Sequence, residues 1–159
     1  MFTLFGGKPK STSTYEVKPR TYLDFAAATP VLLEVIAVMA PYQSEMFGNP
    51  SAIHSEGVVA KRVVTESRER VARILGVQDT GVTFTSGGTE SNNLAIMGVV
   101  AAARKRGVAY ADMEIITTAI EHPATLRTVE YLREEGVTVR YVPVNDVGQV
   151  VLAELASLL

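Results

Sequence analysis

The sequence predicts an α/β protein with an incomplete, mostly parallel sheet and flanking helices. Short runs rich in β-branched residues alternate with helical patterns three times after residue 80, and this alternation is typical of parallel strands joined by crossover helices. A chain of 159 residues suits one domain with a core of its own. With 47% hydrophobic and 20% charged residues, the composition is that of a folded globular protein.

The first elements are predicted from turn and capping residues. Residues 1–20 combine glycine, proline and a polar run, and we expect a flexible leader there. Pro30 fits the first turn of a helix capped by Thr29, which is predicted to run to about Met39 and to stop near Pro41.

A turn-rich loop at 47–51 precedes a strongly periodic helix. This helix is predicted over residues 55–75, and Gly76 ends it as a left-handed cap residue. Three strand–helix units follow: 82–85 with 89–106, 114–118 with 123–135, and 137–144 with 151–159. The last helix has no C-terminal cap or basic last turn, which indicates a truncated chain.

Composition excludes several classes of function. The net charge of -2 disfavours a nucleic-acid or anionic-membrane partner, and no apolar run of 18 residues is present. The start of the chain lacks the features of a signal peptide, so a cytoplasmic protein is expected. There is no cysteine, hence no disulfide or thiol nucleophile, and two histidines are too few for a histidine-built metal site.

The strongest local motif joins a predicted strand to a helix over residues 85–93, with Gly87 and Gly88 at the turn. Glycines let backbone approach a ligand, and the first N–H groups of a helix attract anions. Thr89 adds a hydroxyl group. A plain strand-to-helix turn is the alternative, and the lysine of a P-loop is missing.

His122 follows a predicted strand directly and precedes Pro123, so it lies at the carboxyl end of a strand, where open α/β sheets bind ligands. It suits stacking on an aromatic ring or proton exchange, and the alternative is a helix-capping histidine without a ligand. His54, after the 47–51 loop, suits a loop-anchoring role better than a catalytic one.

Four motifs occur together in one order: 22–30, 47–51 with His54, 84–93, and Glu121-His122 with Ala124 and Leu126. This series resembles cysteine desulfurases of the iron–sulfur-assembly type, in the class V aminotransferase superfamily of pyridoxal-phosphate (PLP) enzymes of fold type I. The resemblance covers about residues 21–159. It implies the front portion of the PLP-dependent transferase large domain.

The resemblance also implies site residues and a domain layout. Gly88 and Thr89 would bind the cofactor phosphate, and His122 would stack on the pyridine ring. Asn49 and the alanines at 26–28 would line the substrate side or a dimer contact. Residues 21–45 would join the small domain, and 46–159 would form part of the PLP-binding large domain.

The implied reaction converts L-cysteine to L-alanine and leaves sulfur on the protein as a persulfide. A homodimer and an iron–sulfur scaffold partner are implied for the whole enzyme. The chain departs from the family at Phe25, where Asn or Tyr is usual, at Ala28, where Thr is usual, and at Gly88, which replaces Ala.

The family's lysine that binds the cofactor, its aspartate at the ring nitrogen and its loop cysteine lie after these motifs. The lysines here are Lys8, Lys10, Lys18, Lys61 and Lys105, and none has the family's context. No catalytic or metal-binding residue is therefore assigned, PLP binding is expected to be weak or absent, and the chain alone is predicted to be inactive. We also expect marginal stability, because strand 82–85 would lose its neighbour and leave an unpaired edge.

Two alternatives stay open at this stage. The chain could be part of another class V enzyme that acts on a different amino acid. It could instead be a non-catalytic module that binds a full-length desulfurase or its scaffold.

Overall fold

The computed structural model describes residues 21–159, so the predicted leader at 1–20 lies outside the described part. The chain divides into two units, the first ending at Val63 and the second covering Val64–Leu159. The helices are α1 (Leu33–Ser44), α2 (Ser55–Leu75), α3 (Gly88–Lys105), α4 (Pro123–Glu134) and α5 (Leu152–Leu158), and the strands are β1 (Glu114–Thr118) and β2 (Thr138–Val142). The α/β prediction is confirmed, and α2 has the predicted bounds.

The two strands pair in parallel, in a register that sets Glu114 opposite Thr138 and Thr118 opposite Val142. Helix α4 connects them, as a parallel pair requires. The predicted pairing of the strands at 114 and 137 is therefore confirmed. Its physical basis is the apolar, β-branched content of both runs, which packs well on a pleated surface.

The core of the second unit lies between α3, α4 and the sheet. Leu132 of α4 is completely buried and clusters with Val100 of α3 and with Val137, just before β2. Gly136 has φ +105° and lets the chain reverse at the end of α4, where the Val137 N–H donates to the Leu132 C=O at 3.0 Å. The turn at Gly136 therefore places the buried Val137 against α4.

The predicted strand at 82–85 is wrong as an assigned strand, although its backbone leaves the preceding turn extended. Val82 has φ -107° and ψ 122°, but the segment pairs with no strand among residues 21–159. A strand needs a neighbour for its N–H and C=O groups. Here the Arg68 side chain of α2 supplies one hydrogen bond in place of a neighbouring strand. Its Nε donates to the Val82 C=O at 3.2 Å.

The predicted bounds of the first helix are also wrong. Helix α1 begins at Leu33 and continues to Ser44 with Pro41 inside it. Proline removes one N–H donor from a helix but leaves its carbonyl oxygen, and here the Glu45 and Met46 N–H groups donate to the Pro41 C=O at 2.9 and 2.8 Å at the end of α1. None of the α1 side chains is buried in this structure.

One edge of β1 has no strand beside it in the described chain. The Met113 C=O accepts the Thr138 N–H at 3.0 Å, so in a parallel ladder the backbone groups of Glu114, Ile116 and Thr118 point the other way. A groove of about 390 Å³ is lined by residues 115–118 of β1 together with residues of α3, α4, β2 and α5.

The loop before α2 is packed so tightly that two positions accept only glycine. A Cβ on Gly48 would lie 2.4 Å from the Glu56 carbonyl oxygen, and one on Gly57 would lie 2.4 Å from the Ala52 carbonyl oxygen. The loop and the first turn of α2 therefore touch through backbone.

No helix within residues 21–159 has the length and apolar content needed to cross a lipid bilayer.

Leu132→Ala tests the core of the second unit. We expect a loss of about 2–5 kcal/mol in the free energy of unfolding, because the change leaves a cavity at a fully buried position. Leu94→Ala, at a position 52% exposed on α3, is the control and should cost less than about 1 kcal/mol. Urea denaturation followed by far-UV circular dichroism measures both. Equal losses would contradict this description of the core.

Gly57→Ala and Gly98→Ala form a second matched pair, since both glycines lie inside helices. Alanine at 57 would force the loop away from α2, whereas alanine at 98 meets open space within 4 Å. We expect Gly57→Ala to destabilise the chain and Gly98→Ala to stabilise it by about 0.5–1 kcal/mol, measured by the same denaturation. Stabilisation by both changes would show that the loop contact is absent in solution.

Candidate functional site

The start of α3 is the candidate anion site that the sequence predicts in the second unit. Gly87 is the N-cap residue of α3. Because glycine has no side chain, no N-cap side chain accepts a hydrogen bond from the first N–H groups of the helix. The first helical bond inside α3 is donated by Ser91 to the Gly87 C=O at 3.1 Å, which leaves the N–H groups of Gly88, Thr89 and Glu90 directed out of the helix. A Cβ at Gly88 would meet nothing within 4 Å, and the surface there is exposed.

Side-chain hydrogen bonds stabilise the loop that precedes these N–H groups. Glu90 Oε2 accepts hydrogen bonds from the N–H and the hydroxyl of Ser86, both at 2.6 Å. The Thr85 and Ser91 hydroxyls lie 2.6 Å apart. The Ser86 hydroxyl, followed by its N–H, lowers the pKa of Glu90 below the usual 4.5. The one carboxylate of the first turn is thus engaged with the loop, and the helix start keeps its positive potential.

Arg68 of α2 contacts the extended segment that leads into this turn. Its guanidinium group lies 5.4 Å from the centre of the Phe84 ring, and its Nε binds the Val82 carbonyl oxygen. A cation over an aromatic face and a hydrogen bond together fix an extended segment that no sheet supports among the described residues. Helix α2 therefore helps to place the glycine turn.

His122 is the N-cap of α4. Its Nδ1 accepts the Ala124 N–H at 3.0 Å, so the neutral ring carries its proton on Nε2. The capping alternative raised by the sequence is thus observed. Because the bond engages Nδ1 alone and the residue is exposed, capping does not exclude contact with a ligand.

Helices α3 and α4 run parallel, which sets both candidate elements at the same end of the unit. The Thr128 hydroxyl contacts Asn93 Oδ1 at 2.7 Å, and farther along both helices Val100 and Leu132 share the core. Because both contacts advance in the same direction along the two helices, the starts of α3 and α4 lie on one side. The structure therefore brings Gly88, Thr89 and the His122 N-cap to neighbouring helix starts.

Asn49 and His54 have local partners within the first unit. The Asn49 side chain accepts the Ser51 N–H at 2.9 Å and stabilises the turn before α2. His54 Nδ1 lies 3.0 Å from Glu56 Oε2, and the Gly57 N–H also points to it at 3.3 Å. The loop-anchoring role predicted for His54 agrees with these contacts.

Sequence reasoning missed the residues that support the site. Asn93 was part of the recognised motif, but nothing marked it as a link between helices. Thr128, four residues after Ala124 on α4, is a buried hydroxyl at helical spacing, and that spacing was its only signal. No cluster of three or more possible metal ligands occurs in the part of the chain that the structure describes.

Glu90→Gln tests the loop contact through its pH dependence. The folded pKa of Glu90 is lowered, so its charge stabilises the fold fully above pH 4.5, and this contribution disappears as the pH falls through the lowered value. We expect Glu90→Gln to be less stable than the unmodified chain near neutral pH, with the difference shrinking below pH 4.5. Urea midpoints across the pH range measure it, and Ser86→Ala should weaken the same dependence. A difference that grows on acidification would contradict this account.

Comparisons with known proteins identify the family of this chain. The family model described as aminotransferase class-V matches residues 21–159. A cysteine desulfurase IscS of Dictyoglomus turgidum is 42% identical over 132 residues, which are 83% of this chain and 32% of that protein. The chain thus spans about a third of the length of this relative.

Two solved structures share the fold. One named as a NifS-like protein superposes with a TM-score of 0.80 at 40% identity, covering 89% of this chain and 37% of that one. The other, described as SspA in complex with cysteine, gives a TM-score of 0.69 at 41% identity, covering 78% of this chain and 35% of that one. Together with the family match over most of its residues, these likenesses establish that the chain belongs to the aminotransferase class-V family.

Proposed function

We propose that this chain is the amino-terminal part of a pyridoxal-phosphate-dependent cysteine desulfurase, and that it is not catalytic by itself. The observation that carries the proposal is the uncapped start of α3, together with the exposed His122 at the start of the neighbouring helix α4. Relatives of about 40% identity named as cysteine desulfurases support the choice of enzyme within the family.

The residues present fit the phosphate end of the cofactor. The N–H groups of Gly88, Thr89 and Glu90 form a donor set with the positive end of an 18-residue helix, and the exposed Thr89 hydroxyl adds a further donor. The missing Cβ at Gly88 leaves the approach open. We assign phosphate binding to Gly88 and Thr89.

We assign ring contact to His122. Its Nδ1 accepts the Ala124 N–H, and this bond restrains the ring of an exposed residue. A neutral imidazole with Nε2–H can stack on a pyridine ring and donate one proton at its edge. When bound, the cofactor supplies an electron sink for charge developing on the amino acid.

Other requirements of the reaction are not met by this chain. Lys105 ends α3, about 25 Å along the helix from Gly88 at 1.5 Å per residue, and cannot reach a cofactor bound at the helix start. The sequence has no cysteine to accept sulfur as a persulfide. We therefore propose that the chain binds the cofactor weakly and does not release sulfur from cysteine.

The remaining proposals concern the whole enzyme. Its substrate is L-cysteine, which the related SspA structure contains, and its products are L-alanine and persulfide sulfur for iron–sulfur assembly. It acts as a cytoplasmic homodimer that delivers sulfur to a scaffold protein. Residues 21–45 join the small domain, and 46–159 form part of the large domain.

Binding of inorganic phosphate and of pyridoxal 5′-phosphate, followed by NMR on the ¹⁵N-labelled chain, tests the site. We expect both probes to shift the amide signals of Gly88, Thr89 and Glu90. Gly88→Pro removes one donor but suits the first position of a helix, so phosphate affinity should fall about tenfold or more. Gly88→Ala keeps the donor and should stay within about twofold. Equal affinities of the two variants would refute the assignment.

Incubation of the chain with L-cysteine, pyridoxal 5′-phosphate and dithiothreitol tests the predicted inactivity. Sulfide and alanine should form no faster than in a sample without protein. Protein-dependent formation of alanine would disprove the requirement for residues outside this chain.

A further inference from the structure

The Thr128 hydroxyl is a polar group inside the contact between α3 and α4. Its residue is 5% exposed, and burying a hydroxyl is costly unless it is hydrogen-bonded. The oxygen lies 2.7 Å from Asn93 Oδ1 and 2.8 Å from the Ala124 carbonyl oxygen, so its single proton is shared between two acceptors. An apolar residue of the same shape would fill this space without that cost.

These contacts belong to a continuous path between the two candidate cofactor residues. On α3, Asn93 Nδ2 donates to the Thr89 C=O at 2.9 Å. On α4, the Ala124 N–H donates to His122 Nδ1 at 3.0 Å, and the Ala124 C=O faces Thr128. We call the Asn93–Thr128 contact the polar bridge, because it is the step of this path that crosses from one helix to the other.

The polar bridge joins equivalent positions of α3 and α4, counted from the first residue of each helix. Asn93 is the sixth residue of α3 and Thr128 is the sixth of α4, so each lies about 7.5 Å from the start of its helix at 1.5 Å per residue. Apolar packing nearby is non-directional and tolerates small slides of one helix along the other. A hydrogen bond of 2.7 Å does not, because its strength falls steeply with geometry.

Resting on the proposed function, we propose that Asn93 and Thr128 are positioning residues for the cofactor site. They set the spacing between the phosphate donors at Gly88 and Thr89 and the His122 ring, and neither touches the ligand. A bound pyridoxal phosphate then gains ring contact and phosphate contact together. Inorganic phosphate, which reaches only the α3 start, gains nothing from the spacing.

Thr128→Val tests the positioning role, because valine keeps the shape and removes the hydroxyl. By NMR on the full chain, affinity for pyridoxal 5′-phosphate should fall about two- to tenfold, and the shift of the His122 ring signals on binding should shrink. Affinity for inorganic phosphate should stay within about twofold. Thr128→Ser, which restores the hydroxyl, should recover pyridoxal phosphate binding.

A purely structural role predicts a different pattern. Loss of fold stability alone would lower the affinities for both probes in proportion, and Thr128→Ser would rescue neither selectively. Equal losses for inorganic phosphate and pyridoxal phosphate would therefore overturn the proposal. Urea denaturation of each variant identifies any shared loss of stability.

Hydrogen exchange of the ligand-free chain separates this inference from the proposed function. Thr128→Val should speed exchange of the Ala124 amide, which caps onto His122, and of the Asn93 side-chain amide. The backbone amide of Arg127, an exposed residue one position before Thr128 on α4, serves as the reference for general loosening. If the unmodified chain does not bind pyridoxal phosphate, the phosphate and ring contacts assigned under the proposed function fail, and unchanged Ala124 exchange would still overturn the polar bridge on its own.

Discussion

The burial of Leu132 against Val100 and Val137 is the contact on which the second unit depends. It joins α4 to α3 on one side and to the start of β2 on the other, so one side chain connects a helix pair with the sheet. Interiors are close-packed, and such a contact transmits the position of each element to the next. This core holds α3 and α4 against each other, while the Asn93–Thr128 contact sets their position along the helix axes.

The sequence predicted the elements that carry their own local signals. Helix α2 has caps and periodicity within its own residues, and the pair at 114 and 137 consists of β-branched runs joined by a helix. The strand at 82–85 failed for a non-local reason, because a strand exists only with a neighbour, and propensity does not reveal which neighbour is present. Helix α1 continues to Ser44 with Pro41 inside it, and local proline preference alone predicted an earlier end.

The candidate site likewise contains residues that the sequence predicted and residues that it did not predict. Gly88, Thr89 and His122 were predicted because glycines, a threonine and a histidine at strand-to-helix junctions have a recognisable chemistry. The support of the site was not predictable in the same way. Arg68 contacts Phe84 across 16 residues, and Asn93 meets Thr128 across 35, and such distant pairs have no common pattern in the sequence. The local capping bond of His122 was among the alternatives, since Pro123 marks a helix start.

The free edge of β1 has a consequence for synthesis of the polypeptide. The β1–α4–β2 unit spans 29 residues, from 114 to 142, and a ribosome adds these in about 1.5–6 s at 5–20 residues per second. The unit contains the Leu132 and Val137 part of its core, so it can form while translation continues. During those seconds the backbone groups of Ile116 face water beside an apolar groove. Neighbouring nascent chains on one polysome would expose the same edge, and unpaired strand edges of this kind can pair with one another.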